Sequence, residues 1–123
     1  MNRRILLLLA LAAFSFAACD STRPNTSGVL TAVLVSPHGA EGAAVLDVSG
    51  TTESFSATDG VSLFTTPSAT GTRLIAVRLT PGELSLKVAV DDVSRPPAVT
   101  VVEVADGDDR LRASLTGYRV EFR

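Results

Sequence analysis

Few groups in this chain could do chemistry: a single cysteine, Cys19, a single histidine, His38, and carboxylates gathered in Asp91-Asp92 and Asp106-Gly107-Asp108-Asp109. His38 sits between Pro37 and Gly39 in a turn-forming stretch, with no partner at a spacing that suits a general base or a metal ligand. It reads as a solvated loop residue. Calcium takes roughly six to eight oxygen ligands, and Asp106, Asp108 and Asp109 are the best candidates for supplying them, with Asp91 and Asp92 as a second acidic loop. The EF-hand pattern fails, however. Loops begun at Asp106, Asp108 or Asp109 would close on Gly117, Arg119 or Val120 where glutamate is needed, and an acidic turn neutralised by Arg110 and Arg112 is the competing reading. The sequence contains no Gly-x-Ser-x-Gly, no phosphate-cradling glycine loop and no zinc-ligand spacing. Together these observations predict a protein that is not an enzyme and has no cofactor, with no metal assigned.

Cys19 is different, because its surroundings specify its chemistry. Arg3 and Arg4 precede an almost unbroken apolar run from Ile5 to Ala18, the layout of a secretory signal. A membrane-crossing helix needs about 20 apolar residues, so this run is too short to span. Cleavage after Ala17 would put Ser15 and Ala17 in the small-residue pockets of an ordinary signal peptidase. A second reading uses the cysteine. Phe16-Ala17-Ala18-Cys19 resembles the lipobox of bacterial lipoprotein precursors, which implies a diacylglycerol thioether on Cys19, cleavage before it and acylation of the new amino terminus. The departure from the family pattern is Phe16, where leucine is usual. One acyl chain holds only marginally and two or three hold durably, so the resemblance implies a stable membrane anchor. In lipoproteins of enteric bacteria an aspartate after the cysteine is associated with retention at the inner membrane. The resemblance implies the same sorting role for Asp20, and the plain alternative is the first residue of a solvated tether. Arg3-Arg4 also invites a twin-arginine export reading, but the flanking residues fit poorly and the leucine run favours general secretion. The expected location is therefore the cell envelope, lipid-anchored to a bacterial membrane.

Taking residues 1–18 from the 123 leaves 105, one domain's worth. It removes two of the 11 basic side chains and none of the 13 acidic ones, for a formal net charge of −4. Net acidity without a basic stripe argues against nucleic acid as a partner and leaves the membrane, through the lipid on Cys19, and a protein in the envelope. One cysteine excludes a disulfide within the chain. With only Phe55, Phe64, Phe122 and Tyr118 as aromatics after the leader, the core must be aliphatic, and aromatic platforms for sugar binding are scarce.

The elements that must carry these groups read as short strands. Residues 20–27 have no apolar periodicity and form a tether of about 15 Å root-mean-square reach, so that residues 19–27 make a lipidated linker and 28–123 the domain. Residues 29–36 and 98–105 are apolar on both faces and read as central strands; residues 43–50 alternate, with Ala44, Leu46 and Val48 facing one way. Asp59-Gly60 suggests a hairpin turn between residues 53–58 and 61–66. Pro81-Gly82 suits a type II turn pairing residues 72–79 with 83–90, where Leu84, Leu86, Val88 and Val90 share a face. Tyr118, Val120 and Phe122 form another apolar face. Asp109 could cap a helical turn over residues 110–116, and the alternation of Leu111, Ala113 and Leu115 fits a strand nearly as well. Arg73, Arg78 and Arg119 are expected to face solvent and pair with acids. Seven or eight strands at this spacing predict an all-β fold, a single antiparallel β-sandwich. The rhythm of Gly28 to Arg123 loosely resembles cohesin and other immunoglobulin-like modules, which implies a binding module.

Overall fold

A computed structural model describes residues 24–50 and 54–123. Cys19, Asp20 and the whole apolar leader lie outside the described residues. Eight strands follow one another: β1 (Gly28–Val35), β2 (Glu41–Ser49), β3 (Ser54–Ala57), β4 (Ser62–Pro67), β5 (Gly71–Gly82), β6 (Ser85–Val90), β7 (Val99–Ala105) and β8 (Arg119–Phe122). They form two four-stranded sheets, β3-β6-β1-β8 and β4-β5-β2-β7, antiparallel throughout. The fold is a small β-sandwich, as its period-2 patterning requires.

The alternating faces meet in one aliphatic core. Ala44, Leu46 and Val48 of β2, with Leu74 and Ala76 of β5, face Leu86, Val88 and Val90 of β6, all buried. Burying such side chains contributes about 1.5–3 kcal/mol each, which makes this layer the main source of stability. Tyr118, Val120 and Phe122 pack against it from β8, as their shared parity predicts. Among the described residues every core side chain comes from residues 30–122, so a chain starting at residue 24 contains that core.

Connectivity departs from the sequence reading. Only β4 and β5 form a hairpin, closed by Ser68, whose amide donates to the Gly71 carbonyl while its Oγ accepts from the Gly71 amide. Every other consecutive pair of strands changes sheet. Asp59-Gly60 joins β3 in one sheet to β4 in the other, and residues 83–84 carry the chain from β5 across to β6, so neither expected hairpin forms. Gly82 does not take the positive φ that a type II turn needs. The chain instead bulges: Ala43 pairs with Val77 but Glu41 with Gly82, leaving residues 78–81 looped out of register. Arg78 holds this bulge by donating to the carbonyls of Thr80, Glu83 and Asp59 at 3.1, 3.0 and 3.5 Å. It does not pair with an acid, whereas Arg73 and Arg119 do, with Asp47 and Glu121.

Two further expectations are corrected. Residues 98–105 are not central: β7 is an edge of its sheet, and its outer side is met by Leu111 in an isolated bridge to Ala105 and by the Arg112 amide, which donates to Val104 O. The helical turn over residues 110–116 is absent. Asp109 takes φ 61°, left-handed backbone that cannot start a helix, and the Arg112 amide is spent on β7 and not on a helical turn. β1 is central as expected, between β6 and β8.

Candidate functional site

The least expected feature of the sandwich is a buried carboxylate. Glu41 opens β2 and is 1% exposed, the only buried charged side chain among the described residues. Its Oε1 accepts from Ser36 Oγ and from the Tyr118 hydroxyl, each at 2.6 Å, and its Oε2 accepts from Nε and Nη2 of Arg112, both at 3.1 Å. Two separate stretches of chain converge on one side chain. Ser36 belongs to the turn between β1 and β2, while Arg112 and Tyr118 belong to residues 106–118, the long irregular connection from β7 to β8.

Strand alternation alone would turn Glu41 outward, on the side of Ala43, Val45 and Asp47. The ladder shifts register beside it, between Glu41 and Ala43, and Ser36, Arg112 and Tyr118 close over its side chain. Gly42 completes the arrangement, since a Cβ there would stand 2.5 Å from the Asp106 carbonyl oxygen, and only glycine lets the loop after β7 lie so close. Gly117, at φ 85°, makes the reversal that delivers Tyr118.

Burial pushes against ionisation of Glu41 and is the largest single influence, but the hydrogen bonds from Ser36, Tyr118 and Arg112 together outweigh it and hold its carboxyl below the usual glutamate range. Burial, and then the bond to Glu41, push the Tyr118 hydroxyl upward, so it stays a donor. Arg112, raised by the same partner, supplies the balancing positive charge. A carboxylate shielded from water, with both oxygens doubly engaged, has no free direction in which to accept a substrate's proton. Its chemistry is that of a fastener: it ties residues 106–118, and through them β8, to the start of β2.

The residues singled out by sequence fall elsewhere. Asp106 Oδ1 accepts from the amides of Asp108 and Arg110 at 2.9 and 3.1 Å, bonds that lower its pKa and close the loop on itself. Asp108 and Asp109 point into solvent, and no group of three or more His, Cys, Asp or Glu among the described residues is placed to hold a metal ion. Asp92 Oδ1 is likewise taken by Ser94, through both amide and hydroxyl, which lowers its pKa. The two acidic loops are also far apart. Asp91 follows Val90, which pairs with the first residue of β1, while Asp106 follows Ala105, which pairs near the start of β2, so they occupy opposite ends of the sandwich. His38 is exposed; its amide donates to Ser36 Oγ, and its ring lies 6.0 Å from that of Tyr118, at the rim of the Glu41 cluster.

Nothing in the sequence marked Glu41. The signal available was a glutamate directly ahead of the apolar run Gly42 to Leu46, with a tyrosine and an arginine far along the chain and no spacing to link them. Compared with protein families, characterised proteins and solved structures, the chain matches none.

Proposed function

We propose that this chain is a lipoprotein precursor of the bacterial cell envelope, in which Cys19 becomes the lipidated amino terminus and the β-sandwich is a non-catalytic interaction or structural module. The observation that carries the reading is the joined motif of a basic start, a short apolar run and Phe16-Ala17-Ala18-Cys19. The placement of the segment next to it supports this reading. Residues 24–27 are exposed, and the Thr26 carbonyl accepts from the Val93 amide at 2.8 Å, so the chain joins the sandwich beside the start of β1. The Glu41 cluster, the Arg78 bulge and the Asp106 loop lie at the opposite end. A lipid on Cys19 would hold the first end near the bilayer and present the second to the envelope space, with only a few residues between anchor and domain.

Metabolic labelling with a fatty acid tests this directly. The precursor should incorporate label and fractionate with membranes, and Cys19→Ser should abolish both. Unchanged labelling and fractionation in Cys19→Ser would overturn the reading.

A further inference from the structure

The outer face of the β4-β5-β2-β7 sheet is apolar where a solvated face should be polar. Register builds it in rows across the four strands: Phe64, Ile75, Val45 and Glu103 in one, Ser62, Val77, Ala43 and Ala105 in the next. Leu111 extends the second row. Phe64 is 60% exposed, Leu111 66% and Leu79, on the rigid bulge below Val77, completely. With Ile75 these side chains offer on the order of 400–500 Å² of apolar surface, the upper range for a monomer's largest patch.

We propose that a second copy of this chain covers this face, related by a two-fold axis running along the strands midway between β5 and β2. Such an axis exchanges β4 with β7 and β5 with β2 while keeping height along the strands, so the face must complement its own mirror order. It does so in size, in shape and in charge. Val77 comes over Ala43 of the copy, large against small, and Ile75 over Val45. Phe64 projects on the β4 side, and a hollow of about 200 Å³ runs from Ile75 on β5 over Ala43, Ala44 and Val45 to Glu103, Ala105 and Leu111 on the β7 side. The axis brings each Phe64 ring over the other copy's hollow, where the carboxylate of Glu103 can meet the positive ring edge. One row higher, Arg73 binds Asp47 of its own chain through Nε and Nη2, at 2.7 and 2.9 Å. The same axis sets Arg73 over the copy's Asp47, so two neutral pairs join into a four-membered network instead of opposing like charges.

The row of Thr66, Arg73, Asp47 and Thr100 borders the apolar rows on one side, the apolar centre with a polar edge that homodimer interfaces share. The axis direction also leaves the amino-terminal ends of both copies at the same end of the assembly, as two lipid anchors in one leaflet would require. The surface complementarity does not depend on that anchor.

Sedimentation velocity on residues 24–123 tests the proposal separately from lipidation, because this chain lacks Cys19 and contains the whole core. Between about 1 and 500 µM it should pass from monomer to dimer or be dimeric throughout, because such interfaces bind at micromolar concentrations or tighter. Phe64→Asp, at an exposed position, should weaken dimerisation at least about 30-fold with an unchanged circular dichroism spectrum. Arg73→Asp should weaken it as well, and adding Asp47→Arg should restore it. A monomer throughout the range, a dimer indifferent to Phe64→Asp, or failure of the double exchange to restore association would overturn the proposal, the first leaving the face to a different occupant.

Discussion

Two arginine–carboxylate pairs in this sandwich use the same donors, Nε and Nη2 of the guanidinium, and differ in almost everything else. Arg112 and Glu41 meet through a carboxylate that is 1% exposed, joined by Ser36 and Tyr118; Arg73 and Asp47 meet across neighbouring strands on the open face of a sheet. The first pair closes the fold. Its members are 71 residues apart in sequence, and its loss would release an irregular connection and an edge strand. The second links residues already held in register by β2 and β5, so it adds little to what the backbone ladder has done. A charge pair matters to stability where water cannot replace either partner, and to recognition where a partner molecule can. This pair of regions places both uses in one small domain.

Removing the buried partner should show the largest difference. Glu41→Ala leaves Arg112 facing a site built for an anion and strips the Tyr118 and Ser36 hydroxyls of their acceptor. We expect a loss of about 3 kcal/mol in urea denaturation, near the low end for broken buried pairs because the Arg112 side chain stays partly wetted. Gly42→Ala should come next, at about 2 kcal/mol, since the added Cβ forces the backbone of the Asp106 loop to move. Proteolysis within residues 106–118 should quicken in both variants.

Tyr118→Phe removes a single hydrogen bond to a charged acceptor and should cost about 1.5 kcal/mol, leaving the ring's packing in place. Acid should act on the same site with a defined sign. Because the folded pKa of Glu41 lies below the ordinary glutamate value of about 4.3, its contribution is complete above that value and disappears as pH falls through the lower folded one. The unfolding free energy should therefore fall with pH there, less steeply in Glu41→Gln. Asp47, Asp92 and Asp106 also have lowered pKa values, so the difference between the two proteins, not the total slope, isolates Glu41.

The smallest effect belongs to the exposed pair. Asp47→Asn should leave the denaturation midpoint of dilute, monomeric protein unchanged, and added salt should not separate the variant from wild type. An Asp47→Asn loss matching that of Glu41→Ala would erase the distinction between the two regions.

Much of the architecture was legible along the chain. The parity of Ala44, Leu46 and Val48, of Leu84 to Val90 and of Tyr118, Val120 and Phe122 all pointed to core faces that the sandwich has. Pairing was not legible, because a strand with one apolar face looks the same whether its neighbour lies in its own sheet or across the core. Hence Asp59-Gly60 and Pro81-Gly82, both good turn sequences, join different sheets, and the true hairpin lies at Ser68. The acidic loops were visible, but the capture of Asp106 and Asp92 by backbone amides was not.

By itself the sequence determined an all-β chain, an aliphatic core and, in Phe16-Ala17-Ala18-Cys19, the motif on which the proposed anchor rests. These follow from local order, since periodicity and contiguous motifs are properties of neighbours along the chain. Tertiary structure alone decided that Glu41 is buried and that Phe64, Ile75 and Leu111 share an uncovered face. Both depend on register across strands and on remote connections: the ladder shifts beside Glu41, Arg112 and Tyr118 cover its side chain, and pairing gathers residues distant in sequence onto one surface.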